Sequence, residues 1–317
     1  MSQIHDIIII GGGPVGLFGV YSAGLLQLDA VLIERLDRLG GQLAYLYPEK
    51  PIYDVGGFPR VRADELVDRL KQQAFQYPAT VVTGAEAVHL RHTDDRWVVE
   101  TTRESYEARA VVITSGIGEF RPRKYGIEAI DRWEGRGLFY VVGQLEAFRD
   151  QDVLVVGGGD SAADWAMAVA EVARSVTMIH RRDTFQCHPD SLQKLTRHPR
   201  IRLVPETELR AVDGERDRVR RVLVYHRDTQ KEETWPIDAV IVAIGLIPGT
   251  DIFREWGLNM TGNEIPVDTR MATNLPGVFA AGDIVTYPGK VKLIAVGFGE
   301  VATAVESVRH FLQSSDR

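Results

Sequence analysis

The stretch Ile7-Ile8-Ile9-Ile10-Gly11-Gly12-Gly13-Pro14-Val15-Gly16 decides the fold. Four β-branched apolar residues in a row suit a strand buried on both faces. They run into Gly-x-Gly-x-x-Gly, the turn that opens a helix in a nucleotide-binding βαβ unit. Far downstream, Val153-Leu154-Val155-Val156 runs into Gly157-Gly158-Gly159-Asp160-Ser161-Ala162, the same turn with alanine in the last place. Each copy is followed by a helical stretch and then a β-branched run, at 30–33 and at 175–179. A βαβ unit therefore occurs twice. This predicts an α/β protein with two doubly wound, Rossmann-like nucleotide-binding domains.

Outward from these motifs, the apolar runs at 110–114, 239–244 and 277–281 read as further strands. The segments 80–101 and 201–234 read as antiparallel ribbons. Stretches rich in Gly, Pro or charge follow a strand at 115–123 and at 245–250, and mark domain boundaries. The second unit, 116–245, is thus expected to be inserted in the first, 1–115 with 246–317. The two linkers are where one domain would rotate against the other.

The bulk properties set limits. A chain of 317 residues suits about two domains, each able to bury a core. A net charge of -7 disfavours nucleic acid as a general partner. The only cysteine, Cys187, excludes an internal disulfide and a Cys-based metal site, so no metal is expected and a reducing, cytoplasmic compartment is. Residues Ile7 to Leu28 carry no charge over about the length of a membrane span. The glycines within it argue for a buried strand, turn and helix, and no membrane association is predicted.

The first fingerprint assigns a task to each residue. Gly11 allows the tight turn, Gly13 lets backbone approach a pyrophosphate, and Gly16 lets helix pack on strand. Pro14 suits the first helical position, where its missing N–H costs nothing. The free N–H groups and positive dipole end of the helix suit a pyrophosphate. An acid should then follow the second strand to hold ribose hydroxyls, and Glu34 stands there, 21 residues after Gly13. The motif alone does not separate FAD from NAD.

In the second copy, Gly159 plus 21 residues lands on His180, and Arg181 and Arg182 follow. A carboxylate at this position would repel a 2′-phosphate, whereas guanidinium groups bind it in a bidentate manner. The second site is therefore read as one for NADP(H), formed by Gly157, Gly159, Asp160, Ser161, Ala162, His180, Arg181 and Arg182. Asp160 would repel a pyrophosphate if aimed at it, so its carboxylate is expected to point away.

Two dinucleotide domains of this arrangement, together with Gly277-Val278-Phe279-Ala280-Ala281-Gly282-Asp283, resemble the thioredoxin-reductase family of flavoproteins. The resemblance covers nearly the whole chain and implies that Asp283 holds the ribityl chain of FAD. True members carry Cys-x-x-Cys shortly before the second glycine motif. Here that region reads Gly137-Leu138-Phe139-Tyr140-Val141-Val142-Gly143-Gln144. A dithiol relay needs two thiols, so disulfide reduction by this chain is excluded and Cys187 is read as a bystander.

What remains is similar to the thioredoxin-reductase-like ferredoxin–NADP+ reductases. The carrying residues are Gly40-Gly41-Gln42-Leu43, Leu46-Tyr47-Pro48-Glu49-Lys50, Ile52-Tyr53-Asp54-Val55, Gly57-Phe58-Pro59, Tyr287-Pro288-Gly289-Lys290 and Gly297-Phe298-Gly299-Glu300. The resemblance implies Tyr47 stacked on the flavin, Gly41, Gln42 and Glu34 near other parts of FAD, and Val88 and Phe120 lining the site. It also implies that the segment from Lys292 to Val296 begins a helix whose N-terminus faces the flavin. It implies a homodimer. The chain stops at Arg317, soon after the helix expected over 301–311, so a tail covering the other flavin face is expected to be absent or very short.

The implied activity is hydride transfer from NADPH to FAD, then single electrons to ferredoxin or flavodoxin. Such carriers are usually acidic, and Arg60, Arg62, Arg121, Arg123 and Lys124 are candidates for a docking patch. Two alternatives remain open at this point: an NADPH oxidase or quinone reductase working through an exposed flavin, and a flavin-based redox sensor.

Overall fold

The structure, a computed structural model, describes residues 3–315 apart from 47, 94, 117, 118, 216 and 217, with the backbone alone for 119–121, 246–248 and 315. The chain divides into two compact units: Met1–Phe120 with Pro248–Arg317, and Arg121–Ile247. The two crossings between them, Glu119–Pro122 and Leu246–Gly249, pair as a two-stranded ribbon.

In the first unit the isoleucine run belongs to the strand Ile4–Ile10. It pairs in parallel with Ala30–Glu34 on one side and Ser105–Ile113 on the other. Thr80–Thr83 extends the parallel sheet at one edge, and Val278–Ala280 pairs with Ser105–Ile113. The antiparallel strands Ala87–Thr93 and Arg96–Thr101 complete a seven-stranded sheet. Because strand side chains alternate, Ile7 and Ile9 enter one apolar layer and Ile8 and Ile10 the other. The first layer is closed by the helices Pro14–Leu25, Ala63–Ala74 and Ile294–Ser315, through Leu17, Leu66, Val301 and Val305. The second packs on Trp97, Phe253 and Trp256. The uncharged run from Ile7 to Leu28 is thus strand, turn and helix, and no described helix is long and apolar enough to cross a membrane.

The second unit repeats the scheme. Leu138–Phe139, Ala239–Val242, Asp152–Val156, Ser175–Ile179 and Ile201–Val204 form a five-stranded parallel sheet in that order. The helices Asp160–Ala170 and Pro189–Arg197 cover one side. A three-stranded antiparallel sheet, Thr207–Glu215, Arg218–His226 and Lys231–Pro236, packs on the other through Leu209, Val222 and Val224.

Both expected ribbons start later than their sequence suggests. Thr80–Thr83 and Ile201–Val204 are edge strands of the parallel sheets. Gly84 (φ 62°) and Glu206 (φ 49°) then turn the chain through the left-handed region before each antiparallel segment. The internal repeat therefore extends beyond the glycine turns, to a third parallel strand and an antiparallel excursion in each unit.

Candidate functional site

In the first unit a cavity of about 330 Å³ opens at the glycine turn. Gly11, Gly13, Pro14, Glu34, Gly41, Gln42 and Asp283 all line it, although they come from four separate segments. Gly16 lies beneath: a Cβ there would stand 1.8 Å from the carbonyl oxygen of Gly11, so helix and strand meet with no room for a side chain. Gly13 differs. Its backbone is extended (φ -72°, ψ -174°) and a Cβ would find no atom nearer than the Gly41 Cα at 4.0 Å. The helix Pro14–Leu25 has no side-chain cap and no acid in its first turn, so its terminal N–H groups are available to an anion.

Glu34 is 7% exposed. Its Oε2 accepts from the Gly12 N–H and its Oε1 from the Leu36 N–H, both at 2.7 Å. Burial raises its carboxyl above the usual range, and these backbone bonds oppose the rise. Burial also raises Asp283, against the nearby cations of Lys290 and Lys292. Two carboxyls thus share one cavity, and each is costly to ionise without a partner.

Three cavity residues had no assigned role in the sequence. Ser115 follows Ser105–Ile113 closely, and its buried Oγ has no hydrogen-bond partner among the described residues. Asp54 accepts from the Ile294 N–H at 2.8 Å and so caps the long last helix. A pairing across 240 positions leaves no local signal. Lys50 also lines the wall.

Val88 does not line the cavity. Ala85, Glu86 and Ala87 before it do, and the Val88 carbonyl instead accepts from Trp256 Nε1 at 3.1 Å. Tyr47 and the side chain of Phe120 lie outside the described residues.

In the second unit, a Cβ on Gly159 would meet nothing within 4 Å, whereas one on Gly157 would stand 2.3 Å from the Ala243 carbonyl oxygen. Ala162 is buried in the core and Ser161 is exposed beside the turn. Asp160 accepts from the His188 N–H at 2.7 Å, so its carboxylate is directed to the 183–188 loop. The ring of His180 packs against Gly158, where a Cβ would stand 2.4 Å from Cγ and Nδ1. Burial, then the charges of Arg182 and Arg181, lower the His180 pKa, so the ring is neutral at pH 7. Its Nε2 is buried with no partner among the described residues. Arg181 and Arg182 are exposed, and neither meets a carboxylate among the described residues. Arg174, Arg221 and Arg227 of the same unit are each tied to an acid.

Cys187 is 9% exposed, and burial pushes its thiol up. Of the candidate docking residues, Arg62 makes a two-armed pair with Asp64 and Lys124 pairs with Glu134 at 2.6 Å, so each is neutralised locally. Arg60 and Arg123 are exposed, and the Arg121 side chain is outside the described residues.

Residues 5–308 match the family described as pyridine nucleotide-disulphide oxidoreductase. The chain belongs to that family. Within it, the chain is 42% identical over 316 residues to the ferredoxin–NADP reductase of Halalkalibacterium halodurans, covering 99% of this chain and 96% of that one. It is 43% identical to the ferredoxin–NADP reductase of Thermus thermophilus, over 94% of this chain and 90% of that one. Among solved structures, the thioredoxin reductase of T. acidophilum is 25% identical with a TM-score of 0.86, covering 99% of this chain and all of that one. The thioredoxin reductase of Lactococcus lactis has the same TM-score at 23% identity, over 98% and 99% of the two chains. This pyridine nucleotide-disulphide oxidoreductase has the thioredoxin-reductase fold with one buried thiol, so an internal dithiol is not its redox centre.

Proposed function

We propose that the protein is a ferredoxin–NADP reductase in which residues 1–115 with 246–317 take FAD, residues 116–245 take NADPH, and electrons leave to ferredoxin or flavodoxin. One observation carries the reading. At the same structural position, beside the middle glycine of each turn, the first unit has Glu34 and the second has His180 followed by Arg181 and Arg182. A carboxylate accepts from ribose hydroxyls; two guanidinium groups that meet no carboxylate among the described residues donate to a 2′-phosphate.

The residues present fit both nucleotides. Space at Gly13 and Gly159 allows a pyrophosphate to approach each helix N-terminus. The Ser115 Oγ and the His180 Nε2 are among the buried polar atoms that have no partner among the described residues, and both lie beside the glycine turns of their units. A bound nucleotide would supply what they lack. In the first unit Gly11, Gly13, Pro14, Gly16, Gly41 and Gln42 shape the adenosine and pyrophosphate end. Glu34 would take the ribose hydroxyls and Asp283 would accept from the ribityl hydroxyls, and the family resemblance assigns Tyr47 and Phe120 to the ring. In the second, Gly159 and Ser161 would flank the pyrophosphate, while Gly157 and Ala162 pack the turn beneath it. His180 meets the adenosine ribose, and Asp160 stays out of the way by holding the His188 N–H.

A bound flavin would supply the two-electron and one-electron chemistry that links hydride donation by NADPH to two single-electron carriers. The chain contributes position and electrostatics. A reducing, cytoplasmic home and a homodimeric state belong to the same proposal, the first supported by the single unpaired cysteine.

The test is to reduce the FAD-loaded protein with NADPH and NADH in parallel. Electron delivery to ferredoxin, flavodoxin and oxygen is then followed. NADPH should be favoured by about tenfold or more, with ferredoxin or flavodoxin reduced faster than oxygen. Equal use of NADH would remove the arginine assignment. Oxygen uptake that rivals carrier reduction would instead mark an oxidase, and slow turnover with every acceptor a sensor.

A further inference from the structure

One carboxylate inside the first unit gathers four hydrogen bonds. Glu300, on the last helix, is 5% exposed. Its Oε2 accepts from the Gly282 N–H at 2.8 Å and from Lys290 Nζ at 2.8 Å. Its Oε1 accepts from the Tyr287 hydroxyl at 2.5 Å and from Lys290 Nζ at 2.6 Å. Lys290 is itself 6% exposed at the side chain. Both ends of the 282–290 loop are therefore fastened to a single helical residue. The fastening at the front end falls on the residue before Asp283, which lines the cavity.

An ion pair buried this deeply is weak evidence for stability. Removing two charges from water costs about as much as their attraction returns, and apolar replacement of a whole buried pair is often neutral or stabilising. What apolar packing would lack is direction. Glu300 fixes a particular N–H, in a glycine whose φ of +87° already places the turn in the left-handed region. The helix approaches closely at the same point, since a Cβ on Gly297 would stand 3.5 Å from the Gly282 Cα.

We propose that Glu300, with Lys290, is the positioning residue for Asp283, and that this buried pair sets the affinity of the first unit for its flavin nucleotide. The inference rests on the reading that this unit takes FAD. Glu300 touches no cofactor itself. It acts by holding the Gly282–Asp283 backbone so that the carboxylate points into the cavity.

The experiment measures FAD dissociation constants and thermal midpoints of apoproteins, and visible circular dichroism of the reloaded proteins. K290M/E300M removes both charges and keeps the volume. Its apoprotein should melt within about 5 °C of wild type, yet bind FAD at least tenfold more weakly, with altered dichroism of the bound flavin. Combined with Asp283→Asn, the pair replacement should add little further loss, because both changes disable one contact. Tyr287→Phe, which removes one hydroxyl and keeps the ring, gives a second route should the double variant fail to fold, with a several-fold loss of FAD affinity expected. Unchanged FAD affinity in a folded K290M/E300M or in Tyr287→Phe would overturn the inference, as would a loss that adds in full to that of Asp283→Asn. A wild-type apoprotein that binds no FAD would overturn the cofactor assignment, and the inference with it.

Discussion

Gly158 lies so close to the imidazole of His180 that a Cβ on the glycine would stand 2.4 Å from the ring. The matching contact in the first unit sets Gly12 against Glu34, whose Oε2 takes the glycine N–H at 2.7 Å. One backbone geometry is used twice, with an acid in one copy and a neutral ring leading into two cations in the other. On the proposed reading, cofactor choice follows from the side chain at that position rather than from the fold.

Arg181→Ala and Arg182→Ala should therefore each weaken NADPH without weakening NADH. A charge-assisted hydrogen bond is worth about 1.5–3 kcal/mol, which corresponds to roughly a ten- to hundredfold rise in the KM for NADPH. The KM for NADH should move by less than about twofold, since the missing phosphate is the only group these arginines are assigned to hold. Parallel steady-state titrations with both nucleotides check this. A matched rise for the two would show that the arginines act on something the nucleotides share.

Two glycines of the first turn should separate folding from binding. At Gly16 a Cβ would fall 1.8 Å from backbone that cannot move aside, so Gly16→Ala should lower the thermal midpoint of the apoprotein and lose FAD together. At Gly13 the added methyl has room and the backbone is already extended. Gly13→Ala should leave the apoprotein midpoint within about 2 °C of wild type and still weaken FAD, because the methyl occupies the approach to the pyrophosphate. Melting curves with and without FAD distinguish the two. A Gly13→Ala protein that binds FAD normally would place the pyrophosphate elsewhere.

Cys187 provides a negative control. Burial disfavours its thiolate, with Asp160 and Asp164 acting in the same direction. Native protein should react slowly with iodoacetamide, and Cys187→Ala should retain NADPH-driven carrier reduction. Fast labelling, or loss of turnover in a stably folded Cys187→Ala, would give the thiol a role that its surroundings do not suggest.

Much of this architecture was legible because turn chemistry is local. A β-branched run followed by Gly-x-Gly-x-x-Gly specifies strand, turn and helix within a dozen residues, and the register between Gly159 and His180 can be counted along the chain. The resemblance pointed to Asp283, Gly41 and Gln42, which line the same cavity as the first turn. The misses are of two kinds. Thr80–Thr83 and Ile201–Val204 read as ribbon because a short β-branched stretch pairs equally well in either direction. Only the left-handed residues Gly84 and Glu206 divide each strand from the antiparallel segment after it. Asp54 and Glu300 went unread because each meets a backbone N–H that tertiary structure alone brings near.

Asp283 should make the protein trade stability for cofactor. Burial holds its carboxyl above the usual range, so the folded chain binds that proton more tightly than the unfolded chain does. A group shifted upward contributes stability that is fully present below the unfolded value, about 3.9, and is lost as pH rises through the folded value. At pH 7 the ionised carboxylate is thus a cost to the apoprotein, offset in part by Lys290 and Lys292 and increased by Glu300 and Asp54. Asp283→Asn removes that cost. Its apoprotein should melt above wild type at pH 7, with the difference closing as the pH falls toward 4. Saturating FAD should reverse the order, because only wild type gains the full stabilisation of ligand binding. Melting both proteins from pH 4 to pH 8, with and without FAD, checks each sign. Wild-type apoprotein melting at or above Asp283→Asn at pH 7 would mean that the carboxylate is already satisfied by the fold and is not held in readiness for a ribityl chain.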